Sequence, residues 1–207
     1  LTQFFKSIPR DLEEAAFIDG ASNMQIYKDV TQPVAAALLT GLITDTLGFR
    51  TSNMNPRALR LAADLMEQGV DLPELYRQAL FQRSFEATRY WGYGLRQLQR
   101  EGRLAWTSLT QADRQAVGYP GRDDADLINI LSSIEDVDVV VIFVEQPNQH
   151  VKVSWRAQPG FDVSQVALSF GGGGHPAASG ADVSGSIEEV RPRVLDSTRL
   201  VVSKQKK

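Results

Sequence analysis

The ten residues from Gly171 to Gly180, GGGGHPAASG, hold the densest potential chemistry in the chain. Four consecutive glycines stand directly before His175, one of only two histidines. Glycine loses the most backbone freedom on folding, so ordering four in a row is costly. A helix end needs one glycine at its left-handed cap, and residues 162–170 read as a short helix that would use it. The other three imply a backbone that comes close to something. Successive bare N–H groups in a concave turn form an anion-binding nest, with His175 at its rim as a further donor. A flexible surface loop is the alternative reading.

Other side chains are candidates for the same or separate work. Arg156 ends a strand expected over 151–157, where two parallel N–H groups of an arginine can clamp a phosphate or carboxylate; a solvated surface arginine is the alternative. Asp45, in Thr44-Asp45-Thr46 after an apolar segment, has the setting of a metal ligand between two hydroxyls, or of a helix or turn cap. His150 falls in a turn and is expected to be exposed. Asp123, Asp124 and Asp126 offer a cation site, or lead into a helix N-terminus, where acids are favoured. Trp91, Trp106 and Trp155 are expected as core or interface anchors.

The elements that must position these residues change character along the chain. Residues 11–17 and 23–30 read as helices, the second capped by Ser22. Residues 33–46 form an apolar helix-like stretch. Asn55-Pro56 starts a helix with proline in its first turn, stopped by Gly69, and residues 75–101 read as one or two further helices. After Gly102 strands alternate with short helices: strands over 104–109, 137–145 and 151–157, the last two joined as a hairpin by 146–149. A helix over 127–134 precedes that hairpin. A strand over 177–183, a helix from a Ser186 cap to about 195, and a final strand over 198–203 complete the pattern. The fold class is therefore α/β, with a helical middle followed by a small mixed-sheet unit, and three segments: 1–32, 33–101 and 102–207.

Composition narrows the partners. With 43% hydrophobic and 23% charged residues the chain is an ordinary globular one. There is no cysteine, which removes disulfides and thiolate metal sites and leaves carboxylate and imidazole, donors suited to magnesium or manganese. A net charge of −3 argues against a broad grip on long nucleic acid but not against a small anion in a local pocket. No apolar run is long enough to span a bilayer, so a cytoplasmic location is expected. The chain begins at Leu1 and is read as a fragment or processed form.

Taken together, the residues resemble a known family. Residues 38–46 (LLTGLITDT), followed by Gly48-Phe49-Arg50, are similar to the last metal-binding motif of DHH-family phosphoesterases. Residues 153–156 (VSWR) and the glycine–histidine run resemble the DHH-associated C-terminal domain, with the RecJ-like nanoRNase / pAp phosphatases as the branch most alike. The resemblance covers about residues 33–203. It implies that 33–101 is the end of a DHH domain with linker helices, and that 102–207 is a substrate-binding domain. It further implies Asp45 as a ligand of a divalent cation, usually manganese. Gly172, Gly173, Gly174 and His175 become the loop that holds the substrate's terminal phosphate or nucleotide, and Arg156 a substrate contact on the adjoining strand. The implied substrates are short oligonucleotides and nucleoside bisphosphates.

The family's earlier Asp-x-Asp motif, a further aspartate and its Asp-His-His triplet have no counterpart upstream of Asp45, and both histidines lie downstream, at 150 and 175. One aspartate cannot hold a two-metal centre, since each ion needs several oxygen ligands. The expectation is a chain that binds nucleotides with little or no hydrolysis of its own. Residues 4–22 instead resemble the cytoplasmic EAA loop of sugar-type ABC transporter permeases, which docks into an ATPase subunit. That implies a fusion joined near residues 31–33, with an ATPase partner the least favoured of the roles. The apolar face of 34–46 is expected to be exposed, and homodimerisation is one way to cover it.

Overall fold

The computed structural model describes residues 22–51 and 54–204. They fall in two compact units, which divide between Gln82 and Arg83. The EAA-like stretch lies almost entirely outside the described residues.

The first unit is helical. Ser22 caps α1 (Asn23–Ile26), its hydroxyl 3.3 Å from the Gln25 N–H, while Gln25 returns the bond to the Ser22 N–H at 2.8 Å. A π-type turn (Tyr27–Thr31) leads into α2 (Gln32–Asp45). Asn55 accepts from the N–H groups of Arg57 and Ala58 and starts α3 (Pro56–Met66), with Pro56 where no donor is needed. Asp71 caps α4 (Leu72–Tyr76), and a second π-type turn (Arg77–Phe81) follows. The core joins Ala35, Leu39 and Ile43 of α2 to Ala62, Leu65 and Val70. This corrects the expectation of an exposed apolar face over 34–46: Ala35, Leu39 and Ile43 are 0% exposed, because α3 and α4 cover them. The apolar side chains left in solvent on α3 are Leu59, Leu61 and Met66.

The second unit is built on a six-stranded sheet. Ser84 caps α5 (Phe85–Arg96) through the Ala87 N–H. β1 (Gln99–Glu101) and β2 (Leu104–Leu109) follow as a hairpin whose turn holds Gly102 at φ +58°. Residues 99–101 are thus strand and not the end of a helix; a left-handed Gly102 reverses the chain there. Next come α6 (Gln111–Val117), α7 (Leu127–Leu131), β3 (Val139–Gln146) and β4 (His150–Ala157). Then follow α8 (Ser164–Ser169), β5 (Gly173–His175), β6 (Ala178–Ser184) and α9 (Ile187–Lys204). The strand order is β1-β2-β3-β4-β6-β5; β2 and β3 run parallel and the other neighbours antiparallel.

The final strand expected over 198–203 is the last part of α9 instead. Ser186 and Glu189 cap that helix reciprocally, so it starts where expected, but it continues past 195. Val190, Val194, Leu195 and Thr198 lie at helical spacing on the buried side. Thr198 Oγ1 donates to the Val194 carbonyl at 2.8 Å and accepts the indole N–H of the buried Trp155 at 3.1 Å. Packing against the sheet overrides the strand preference of the β-branched run Val201-Val202. α6 went unread in the sequence, although Thr110 and Asp113 make a complete capping box at its start.

Two layers of helix cover this sheet unequally. One face packs Val139, Val141, Phe143, Val151, Val153 and Trp155 against α8 and α9. The other packs Ala105, Leu109, Val140, Ile142 and Val144 against Tyr90 of α5 and Leu127, Ile128 and Leu131 of α7. β3 is buried on both faces, which is why it reads as an unbroken apolar run. β4 alternates: Val151, Val153 and Trp155 point inward, while His150, Lys152, Ser154 and Arg156 take the other face. The second helical layer reaches β3 and, through α7, β4, so that Ser154 and Arg156 are half-buried.

Candidate functional site

Register brings the sequence-identified residues of the second unit onto this half of the sheet. Arg156 of β4 stands opposite Ala178 of β6, and Ala178 stands opposite His175 of β5. Residues directly opposite share a face, so Arg156 and His175 flank Ala178 in one row, their backbones about 10 Å apart, two strand spacings. The next row is Ser154, Gly180 and Gly173, a floor almost without side chains. The row after that is Lys152 opposite Asp182, followed by His150 opposite Ser184.

Each glycine of the run has its own reason. Gly171, at φ +77°, ends α8: its N–H donates to Leu168 O at 3.0 Å and the Gly172 N–H to Ala167 O at 2.9 Å, a Schellman cap. Those two donors are therefore occupied, and the nest expected from bare N–H groups does not form across them. Gly172 lies against β6: a Cβ there would stand 2.1 Å from Gly180 O and 2.6 Å from Ala181 Cβ. Gly174, at φ +139°, would put a Cβ 2.5 Å from Ala178 O. The close approach demanded of these two is to the chain's own strand. Gly173 alone in β5 combines open space at its Cβ position with a backbone outside the left-handed region. It faces the ledge.

The turn carrying His175 is pinned from both sides. The Ala157 N–H donates to Ala177 O and the Val163 N–H to Pro176 O, each at 2.9 Å, and Ser179 Oγ donates to His175 O at 2.8 Å. These bonds hold the exposed His175 in a fixed place next to the end of β4. Arg156 is half-buried; its Nη1 donates to Trp155 O at 3.0 Å, which steadies the guanidinium beside the ledge. His150 is the first residue of β4, not a turn residue, and its Nδ1 lies 2.9 Å from Asp182 Oδ1. Lys152, Ser154 and Asp182 were not singled out from the sequence, yet the period-two pattern of β4 and β6 already set them on the Arg156 face.

The acidic run has structural duties. Asp123 accepts from the Tyr119 hydroxyl at 2.6 Å and from the Ala125 N–H at 3.0 Å; Asp124 accepts from the Ile128 N–H at 3.0 Å; Asp126 pairs with Arg83 at 2.7 Å. Burial, helped by the neighbouring charges of Asp126 and Asp123, raises the Asp124 carboxyl above the ordinary range despite that N–H. Trp155 is fully buried and Trp91 half-buried with its N–H on Ala125 O, as expected of anchors.

Asp45 belongs to the first unit, where it is the exposed last residue of α2. The hydroxyls beside it donate back to their own helix, Thr44 to Thr40 O at 3.0 Å and Thr46 to Leu42 O at 2.6 Å. Among the described residues no three His, Asp or Glu side chains gather into a group able to hold a metal. Asp45 and its surroundings do not by themselves fit a metal centre. No helix among the described residues is long and apolar enough to cross a membrane.

The second unit has recognisable relatives among known proteins. Residues 116–204 match the DHHA1 domain, and the second unit accordingly carries a DHH-associated C-terminal domain. The chain is 33% identical over 189 residues to the bifunctional oligoribonuclease and PAP phosphatase NrnA of Thermus thermophilus, covering 86% of this chain and 56% of that protein. It is 29% identical over 178 residues to the protein of the same name from Mycoplasma genitalium, covering 86% and 55%. The crystal structure of an exopolyphosphatase-related protein from Bacteroides fragilis superposes with a TM-score of 0.74 at 27% identity, over 87% of this chain and 53% of that one. The chain thus spans about half the length of the curated relatives it matches. A separate match, 51% identical over 41 residues, is to a putative ABC transporter permease protein of Caldicellulosiruptor, covering 19% of this chain and 15% of that protein.

Proposed function

We propose that this chain contributes the substrate-holding part of a phosphoesterase of the nanoRNase / pAp phosphatase type. The ledge on β4, β6 and β5 takes the terminal phosphate of a short oligonucleotide or a nucleoside bisphosphate. The observation that carries the reading is the row Arg156–Ala178–His175 beside the glycine floor of Ser154, Gly180 and Gly173. Arg156 supplies a planar pair of N–H donors, His175 a further donor, and the floor lets a ligand lie against the strands. Names of the Thermus and Mycoplasma relatives support the substrate class. In this reading the first unit is the end of a DHH domain, and divalent manganese or magnesium supplies the Lewis acidity for hydrolysis. Asp45 would offer that ion one carboxylate, and a complete centre would need further oxygen ligands that do not gather among the described residues. With none supplied, the same ledge works as a binding module.

Isothermal titration of the full chain with adenosine 3′,5′-bisphosphate and with a dinucleotide tests the ledge. His175→Ala or Arg156→Ala should weaken binding by about 1–3 kcal/mol, the usual worth of a hydrogen bond to a charged group. Unchanged affinity in both variants sinks the assignment. Manganese-dependent release of mononucleotide by the purified chain alone, abolished by Asp45→Ala, would show instead that the ligands in hand suffice.

A further inference from the structure

The loop between α6 and α7 holds more left-handed backbone than its residue types favour. Gly118 takes φ +71° at the end of α6, where glycine is the usual residue. Ala125 and Asp126 then follow at φ +52° and +64°. Aspartate tolerates that region, but alanine has no polar side chain to offset the crowding of its Cβ. Two such residues in succession persist only where their surroundings over-determine them.

The fastenings come from several elements. Tyr119 stacks on Tyr90 of α5 with ring centroids 5.2 Å apart, and the Arg122 carbonyl accepts from Gln146 Nε2 of β3 at 2.8 Å. Ala125 is held by both of its backbone groups. Its N–H donates to Asp123 Oδ1 at 3.0 Å, and its carbonyl accepts the Trp91 indole N–H at 2.9 Å. Asp126 stands at the N-cap of α7, yet its carboxylate makes no capping bond. Asp124 meets the Ile128 N–H in its stead, at 3.0 Å. The Asp126 carboxylate instead accepts from Arg83 Nη2 at 2.7 Å. Arg83 is the first residue of the second unit, directly before the Ser84 cap of α5. Its side chain is 20% exposed against 58% for that of Asp126, so the cation is the more firmly seated partner.

We propose that Arg83 and Asp126 form a latch, which holds this loop in its left-handed form and ties that form to the place where the chain enters the second unit. An acid at a helix N-cap ordinarily serves the helix; here it is diverted to a residue distant in sequence. The other end of the loop lies near β4. Burial works to raise the Asp123 carboxyl, but the Tyr119 hydroxyl, the Ala125 N–H and the charge of Lys152 hold it below the ordinary range. The latched loop therefore runs from Arg83 to the charge of Lys152. When the latch opens, Ala125 and Asp126 relax out of the left-handed region and Asp123 moves with them.

The test is amide hydrogen exchange in the full chain, for the parent, Arg83→Met, Asp126→Asn and the double variant. Exchange is read at the amides of Ala125, Leu127 and Ile128, which donate within the loop and the start of α7, with the amides of 140–144 in β3 as the reference. Arg83→Met should speed the three loop amides about fivefold, the scale of one ion pair, and leave β3 unchanged. Asparagine tolerates the left-handed region as aspartate does. Asp126→Asn therefore keeps the backbone and an acceptor but not the charge, and should fall between Arg83→Met and the parent. The double variant should exchange no faster than Arg83→Met, since the pair is already broken. Unchanged loop exchange in Arg83→Met overturns the latch. Equal acceleration in β3 also overturns it, because the loss is then one of global stability. Effects that add in the double variant overturn it as well, because the two side chains then act separately.

Discussion

Gly172 and Gly173 are neighbours of identical composition, and the fold makes opposite demands of them. A methyl group on Gly172 would lie 2.1 Å from Gly180 O and 2.7 Å from the Ala181 Cα, both backbone atoms of β6. Ordinary contact needs roughly an ångström more, and neither atom can rotate away. Either β5 separates from β6 or the cap that ends α8 is pulled apart. Overpacking of this kind costs about 1–3 kcal/mol, and its upper end applies where backbone must yield. About 3 kcal/mol corresponds to a fall in melting temperature on the order of 10 °C for a domain of this size. A methyl on Gly173 meets nothing within 4 Å and needs no left-handed backbone. Gly173→Ala should therefore melt with the parent yet bind nucleotide less well, since the methyl stands on the floor of the ledge. Calorimetric melts of the full chain and both variants provide the comparison. Gly172→Ala melting within about 2 °C of the parent, or Gly173→Ala falling as far as Gly172→Ala, would refute the packing argument.

Further outcomes follow from single contacts. Thr198→Val removes the acceptor of the buried Trp155 N–H and should cost about 1–3 kcal/mol by denaturant titration, whereas Thr198→Ser should cost far less. Asp124 has its acidity weakened chiefly by burial, so the folded state holds that proton more tightly than the unfolded one. Its contribution to stability is present at acid pH and is lost as pH rises from the ordinary aspartate value, about 3.9, through the raised folded value. Asp124→Asn keeps an acceptor for the Ile128 N–H and has no proton to lose. The melting temperature of Asp124→Asn relative to the parent should therefore be higher at pH 7 than at pH 3; a difference independent of pH would contradict the shift.

Much of the second unit was legible because its signals are local. The alternation of β4, the unbroken apolar run of β3 and the Ser186 cap each point to one element, and all three occur where expected. Residues 198–203 misled because Thr198, Val201 and Val202 favour strand in isolation; their partners, Trp155 and the sheet, are distant in sequence. The glycine run stands out in the sequence, but the packing of Gly172 and Gly174 against β6 is not legible there. Whether a glycine faces a ligand or its own neighbouring strand depends on the pairing of β5 with β6, which no spacing within the run encodes.

The uneven roof over the sheet also bears on how this protein can change. On β3 residues 139–144 are buried between helices on both faces, so nearly every substitution there disturbs a core. On β4 and β6 the consequence of a substitution turns on whether its position is odd or even. Changes at 151, 153, 155, 181 and 183 act on folding, while changes at 150, 152, 154, 182 and 184 alter the face on which ligand binding is proposed. Ligand preference can then drift along one parity while the scaffold is preserved along the other, with no loop having to be rebuilt.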